Sequence, residues 1–208
     1  EVTVLSMGPA QAADALRECY AMGADHMVLV SDRAFGGADT LATSYTLAAA
    51  IRSLGEFDII FCGKQAIDGD TAQVGPELAE HLGLAQVTYV AGIEKKEEFL
   101  IIKKEQEDCY EKIQVKMPVL LTAVKSLNEP RYPNIMKKMK ANRMEVPTLT
   151  AKDLPDLLPE RLGLKGSPTK VKRTFVPSVR KTGLMILGGD ANGKVGELLE
   201  KLAAAKIT

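Results

Sequence analysis

The residues with the most scope for chemistry form one run, Gly63-Lys64-Gln65-Ala66-Ile67-Asp68-Gly69-Asp70-Thr71-Ala72-Gln73-Val74-Gly75-Pro76. The short apolar segment Ile59-Ile60-Phe61-Cys62 before it reads as a buried strand. Glu77-Leu78-Ala79-Glu80-His81-Leu82 after it reads as a helix. A polar, glycine-bearing loop between a strand and a helix start suits an anion. The first helical amides have no intrahelical acceptor, and the aligned peptide dipoles favour negative charge there. The run is therefore expected to cradle a nucleotide phosphate. Thr71, Ala72, Gln73 and Val74 stand where amides and a hydroxyl would meet phosphate oxygens, and Gly69 and Gly75 admit close backbone approach. Asp68 and Asp70 serve either as caps for backbone amides or as acceptors for ribose hydroxyls. A metal role is disfavoured, because no His or Glu is spaced to supply a third ligand. A capped helix start with no ligand is the purely structural alternative.

Other chemistries lack their residues. The G-x-x-x-x-G-K-[ST] order is absent, and no G-x-G-x-x-G follows the first strand. No Ser/His/Asp set or reactive Cys/His pair is legible, so no catalytic residue is assigned and a binding or carrier role fits best. Cys19, Cys62 and Cys109 lie 43 and 47 residues apart, with no metal spacing and an odd count. That argues for inert thiols in a reducing compartment rather than a disulfide framework.

Alternating strand and helix signals must position the loop. Val2 to Leu5 is a strand candidate, and Gly8-Pro9 opens a helix over 9–22 that Gly23 stops. Met27 to Val30 is the next strand. Asp39 and Thr40 cap a helix to Leu54, with Leu41, Tyr45, Ala48 and Ile51 on its buried face. After Ile59–Cys62 and the motif helix, Val87 to Val90 is a fourth strand. This order predicts an α/β fold with a mostly parallel, doubly wound sheet, whose ligands sit outside the strand carboxyl ends. Three loops emerge there, at 6–9, 31–37 and the motif itself, and Met7 joins the expected site. Phe99 to Lys103 and Tyr110 to Lys116 alternate with period two, which predicts a small antiparallel section. Val119 to Val124 is a further buried strand behind Pro118, and Asn134 to Ala141 a short basic helix. Five prolines and little periodicity between Val146 and Lys181 predict an extended arm that lies on a partner. Val195, Leu198, Leu199 and Leu202 mark a terminal amphipathic helix led by Asn192 and Gly193. The expected organisation is a nucleotide-binding domain over 1–145, an arm over 146–190 and a C-terminal helix over 191–208. The chain opens without Met, inside a strand signal, so a preceding N-terminal strand is expected to be missing from it.

The 208 residues are 46% hydrophobic and 26% charged, which is a globular composition. No apolar run approaches the ~20 residues that span a bilayer, so membrane insertion is not expected. The net charge of zero hides an asymmetry: residues 1–112 carry 9 Lys+Arg against 19 Asp+Glu, and residues 113–208 carry 18 against 8. Such polarity suits the steering of charged partners, or is simply a solvated surface. Nucleic acid is disfavoured, since the basic half has few aromatics for stacking. Lys137, Lys138, Lys140 and Arg143 follow the run Leu127-Asn128-Glu129-Pro130-Arg131-Tyr132-Pro133-Asn134-Ile135-Met136. Apolar Ile135 and Met136 beside a basic rim suit a protein-docking loop, against the plain alternative of a solvated helix.

Three blocks together resemble the small (beta) subunit of electron-transfer flavoproteins, over nearly the whole chain. The first is Ala66 to Pro76. The second runs from Ile102 through Lys104, Glu107-Asp108, Glu111, Ile113 and Pro118 to Leu120-Leu121-Thr122. The third is Leu127 to Tyr132 with Pro133 to Met136. Cys109 departs from the second block, and the third is short between Tyr132 and Pro133. The resemblance implies an adenine-nucleotide-binding, universal-stress-like fold and a heterodimer with an alpha subunit that carries FAD. It implies a site for AMP or a second FAD lined by Met7, Asp68, Gly69, Asp70, Thr71, Ala72, Gln73, Val74, Gly75, Pro76, Glu77, Leu78 and Ala79. It assigns docking of an acyl-CoA dehydrogenase-type flavoprotein to Leu127, Asn128, Glu129, Pro130, Arg131, Tyr132, Ile135 and Met136. The Ser31–Thr40 loop is similar to that of anaerobic bacterial members, which favours the second FAD and bifurcation of NADH electrons within the complex, in a bacterial cytoplasm. The rival reading is a free-standing nucleotide sensor of the universal-stress type.

Overall fold

The computed structural model describes residues 1–176, 183 and 185–207, in two compact units, Glu1–Lys170 and Val171–Thr208. In chain order the first unit contains β1 (Thr3–Met7), α1 (Ala12–Met22), β2 (His26–Val30), α2 (Thr40–Leu54), β3 (Ile59–Gly63) and α3 (Val74–Leu82). There follow β4 (Ala85–Lys96), β5 (Phe99–Glu105), β6 (Tyr110–Lys116), β7 (Val119–Ala123), α4 (Ile135–Ala141), β8 (Thr148–Leu149) and α5 (Gly163–Gly166). The second unit holds α6 (Ala191–Ala204).

The strands form two sheets rather than the single one expected. The first is wholly parallel in the order β1-β2-β8, with Thr3 opposite His26 and Met7 opposite Val30. The second runs β3-β7-β4-β5-β6, in which β3, β7 and β4 are parallel and β5 and β6 add an antiparallel hairpin. β1 and β3 are edge strands of different sheets; alternation of elements along a sequence cannot specify which strand lies beside which. The α/β architecture, the parallel sheet and the small antiparallel section are as the periodicities predict.

α2 ties the two sheets together. Ala49 and Ala50 pack with Val30, Phe35, Leu5 and Met7, whereas Ala48 packs with Leu78, Ala79, Leu120 and Ile60. A helix this rich in alanine lets both sets of neighbours approach closely. On the other face of β2, Met27 and Leu29 meet Leu16 and Tyr20 of α1, with Ala141 of α4 and Val146. β2 is thus covered on both sides, as parallel strands usually are. Val87, Val90, Leu100, Ile102, Val119 and Leu121 make a separate core under the hairpin.

Capping residues explain most helix limits. Asp39 accepts the Ala42 amide at 3.1 Å at the start of α2, and Asn134 accepts those of Met136 and Lys137 at 2.9 and 3.2 Å at the start of α4. Gly23 ends α1 with φ 128°, a backbone conformation that glycine adopts without steric cost. α1 begins at Ala12 rather than residue 9, because Pro9 and Ala10 form a turn whose carbonyls accept the Ala12 and Ala13 amides.

Residues 146–170, expected to begin an arm, belong to the first unit. Leu149 pairs with Val30, and Leu154, Leu157 and Leu162 are buried against Phe35, Ala49 and Ala50. These leucines flank two short 3-10 turns, Ala151–Asp153 and Pro159–Arg161, so neither a helical nor a strand period marks them. The rest of the expected arm lies in the second unit or, at 177–182 and 184, outside the described residues. α6 is capped by Asp190, which accepts the Gly193 amide at 2.9 Å, rather than led by Asn192; Val195, Leu198 and Leu199 are exposed along it.

Candidate functional site

The motif loop leaves the carboxyl end of β3 and enters α3, as expected. Its distinguishing feature is electrostatic. α2, α4 and α6 begin on a side-chain cap; α1 lacks one but has its first amides taken by the Pro9 and Ala10 carbonyls, and the Gln73 side chain makes no such bond to α3. The amides of Thr71, Ala72, Gln73, Val74 and Gly75 find no acceptor among the described residues. Ala72 takes φ 52°, in the left-handed region, and turns the chain just before α3. Gln65 Nε2 donates to Asp70 Oδ1 at 2.6 Å, which braces the loop across its own base. Asp68 is exposed, with no hydrogen-bond partner among the described residues, and the Ile67 side chain is fully exposed.

The start of α2 stands beside the start of α3. Thr40 Oγ1 shares its one hydrogen between Gln73 Oε1 at 3.1 Å and Glu77 Oε1 at 3.2 Å, and Ser44 Oγ shares its own between the Leu41 carbonyl at 3.0 Å and Glu77 Oε2 at 3.3 Å. Two helix N-termini thus meet, one closed by Asp39 and the other open. Their dipoles favour an anion at the open end. Glu77 is occupied by these hydroxyls and faces α2. Met7 lies at the end of β1, level with Val30, and packs against the other side of α2. Met7 therefore belongs to a different core cluster from α3.

Not every expected site residue faces the loop. Leu78 and Ala79 are buried against Ala48 and Leu120, so they seat α3 on the sheet. Gly75 also points inward: a Cβ there would stand 2.6 Å from Thr122 Cγ2. It permits close packing of α3 on β7. Gly69, by contrast, has nothing within 4 Å of a built Cβ and stays on the open side.

Sequence reasoning named Asp39 only as the α2 cap and gave Asp32 no role, so it missed that both anchor distant segments. Asp32 accepts the amides of Ala34 at 2.9 Å and Ala151 at 3.1 Å, and these hold its carboxyl below the ordinary range. Asp39 accepts the Thr169 amide at 2.9 Å as well as its cap bond, and its own amide donates to Ser167 Oγ at 2.8 Å. Burial pushes Asp39 up, but these hydrogen bonds outweigh it and leave the carboxyl below the usual value. Together they fasten residues 150–169 beside the helix starts. Behind the site His81 lies edge-on to Tyr45 at 5.8 Å, and the Arg161 guanidinium covers the Tyr45 ring at 4.0 Å. Burial lowers the His81 pKa, helped by Arg161 and Arg52. Among the described residues, no three His, Cys, Asp or Glu side chains gather as a metal site, and no helix is long and apolar enough to cross a membrane.

The other expected surface is separate. Leu127 is half-buried under the hairpin core, and Asn128 to Tyr132 are exposed. Tyr132 is 94% exposed, Ile135 76% and Met136 75%, which leaves a row of apolar side chains in water. Met139, not singled out from the sequence, extends the row at 51%. α4 presents it because Asn134 donates its amide to Ala21 O at 3.1 Å, while Ala141 is buried against α1.

A parallel sheet, a mixed sheet and helices on both sides define a mixed α/β protein. The model of the electron transfer flavoprotein domain matches residues 1–154. The beta subunit of the electron transfer flavoprotein from Clostridium acetobutylicum is 58% identical over 185 residues, covering 89% of this chain and 71% of that protein. Its counterpart from Megasphaera elsdenii is 50% identical over 215 residues, covering 100% and 79%. Subunit CarD of the caffeyl-CoA reductase-Etf complex of Acetobacterium woodii is 48% identical over 202 residues, covering 97% and 77%. The chain belongs to the electron transfer flavoprotein family, as a beta subunit.

Proposed function

We propose that this chain binds an adenine nucleotide at the start of α3 and serves as the small subunit of a heterodimeric electron carrier. One observation carries the reading: a row of acceptor-free amides from Thr71 to Gly75, at an uncapped helix start beside a second helix start. That donor set fits phosphate oxygens, and Asp68 is free to accept from a ribose hydroxyl. The nucleotide is AMP or, preferentially, a second FAD, which when bound supplies a redox-active ring. The residues of this chain bind and orient it: Asp70 is held back by Gln65, Glu77 by Thr40 and Ser44, and neither carboxylate opposes the phosphate directly.

The exposed row Tyr132, Ile135, Met136, with Leu127 to Arg131 leading into it, is the docking surface for an acyl-CoA dehydrogenase-type flavoprotein. Buried apolar anchors with a basic rim give such a surface both affinity and steering. Relatives named for caffeyl-CoA reductase and acryloyl-CoA reductase electron transfer support a CoA-ester oxidoreductase as the partner. The second unit, with Val195, Leu198 and Leu199 exposed along α6, packs on a flavin-bearing alpha subunit. Electrons from NADH are divided within that complex, in a bacterial cytoplasm. Denaturing release of bound ligand from the co-purified heterodimer, read by mass and absorbance, tests this. Two flavins per heterodimer support bifurcation, one flavin with AMP leaves a simple carrier, and a single FAD with no further adenine nucleotide overturns the reading.

A further inference from the structure

The bulge in β4 builds a second recess, apart from the amide row. The pairing register slips between Val87 and Val90, and Tyr89 takes φ 56° with its amide donated to Thr122 Oγ1 at 3.1 Å. Bulges re-aim side chains, and here the buried Thr122 pins the backbone at the bulge through the Tyr89 amide. The Lys64 ammonium lies 5.1 Å from the Tyr89 centroid. With Val124, Glu105, Gln106 and Glu107 they line a cleft of about 220 Å³. Glu105 is half-buried and accepts a hydrogen bond from Ser126 Oγ at 3.1 Å. No lysine or arginine nitrogen lies within 4.0 Å of Glu105 or Glu107 among the described residues, and Lys64 has no carboxylate within that range. Two unmatched carboxylates and an aromatic face therefore confront a single lysine on a flexible stem.

We propose that this cleft receives an arginine side chain of a docked protein partner, stacked on Tyr89 and bonded to Glu105 and Glu107. The ring face already attracts a cation, and the cleft has room for one side chain. A guanidinium suits it better than an ammonium: it is planar, stacks on aromatics, pairs with carboxylates through a fork of donors and is more weakly hydrated. The cleft adjoins the docking segment along the chain: Val124 lines it, and Ser126, which bonds Glu105, directly precedes Leu127. Its assignment to the same partner rests on that reading of residues 127–136.

The test titrates the full chain with Nα-acetylarginine amide and follows the Tyr89 ring and Lys64 side-chain NMR signals. The expected result is saturable shifts with a dissociation constant in the millimolar range, at least about tenfold tighter than for the uncharged citrulline counterpart. Glu105→Gln is expected to weaken the response at least about tenfold. So is Tyr89→Asn, which removes the ring while tolerating positive φ. Equal response to citrulline, no response to arginine amide at about 50 mM, or full affinity in Glu105→Gln overturns the proposal. Substitutions at Tyr132 and Met136 leave this titration unchanged, so failure of the docking reading is seen separately from failure of the cleft.

Discussion

Replacing Gly75 by alanine probes how α3 is seated. The new Cβ would lie 2.6 Å from Thr122 Cγ2, 3.6 Å from Cys62 Cβ and 3.7 Å from Leu120 Cδ2. Two carbons rest at about 3.5–4.0 Å, so the start of α3 must lift by roughly 1 Å or Thr122 must give way. Thr122 is 2% exposed, β-branched and bonded to the Tyr89 amide, so it has little freedom. Overpacking of this kind costs about 1–3 kcal/mol, against a helix-propensity gain of about 0.5–1 kcal/mol. A net loss of about 0.5–2 kcal/mol in urea-unfolding stability is expected, together with weaker nucleotide retention as the amides move. The double variant Gly75→Ala/Thr122→Ser deletes the struck methyl and keeps the hydroxyl that accepts from Tyr89. It is expected to recover most of the loss. A single variant more stable than the parent, or an equal loss with and without Thr122→Ser, refutes this packing.

Three further outcomes follow from the geometry. Asp39→Ala removes the α2 cap and the acceptor for Thr169, at a cost of about 1–3 kcal/mol, and should raise amide exchange across 163–169. Because the folded carboxyl is held low, its contribution is complete above about pH 4 and is lost as pH falls through the lowered value. His81 behaves in the opposite ionic sense: burial favours its neutral form, so the unfolded chain protonates first and stability falls as pH drops through about 6.5. His81→Gln should lose less stability than the parent between about pH 7.5 and 5.5 by denaturant titration. Tyr132→Ala and Met136→Ala remove exposed side chains, so unfolding midpoints should shift by no more than about 0.5 kcal/mol in stability terms. Electron transfer with an acyl-CoA dehydrogenase-type partner should nevertheless slow at least several-fold, as for apolar anchors at an interface centre.

Local signals in the sequence located most elements. Asp39 and Asn134 mark helix starts because their side chains reach amides two or three residues on, and Gly23 marks an end because of its backbone freedom. The hairpin of β5 and β6 shows in strict alternation, since one face packs and the other is wet. Long-range features left no such trace. Asp32 binds the amide of Ala151, 119 residues away, and Asp39 that of Thr169, 130 residues away; each looks like any loop carboxylate. Leu154, Leu157 and Leu162 enter the core from turns without a repeating period. At the candidate site the glycine-bearing loop and following helix were readable; that neither Asp68 nor Asp70 caps the amides of α3 was not. The inward aim of Gly75 was not, because it depends on Thr122 of a strand 47 residues later. The bulge at Tyr89 was equally hidden, since a strand signal is blind to a slip in register.

The amide row itself can be observed directly. Backbone NMR of the chain titrated with AMP and, separately, with adenosine distinguishes phosphate contact from base contact. The expected result is a downfield shift of the Thr71 to Gly75 amides with AMP and little change there with adenosine. Shifts confined to other parts of the chain, or identical shifts with both ligands, would contradict a phosphate held by the start of α3.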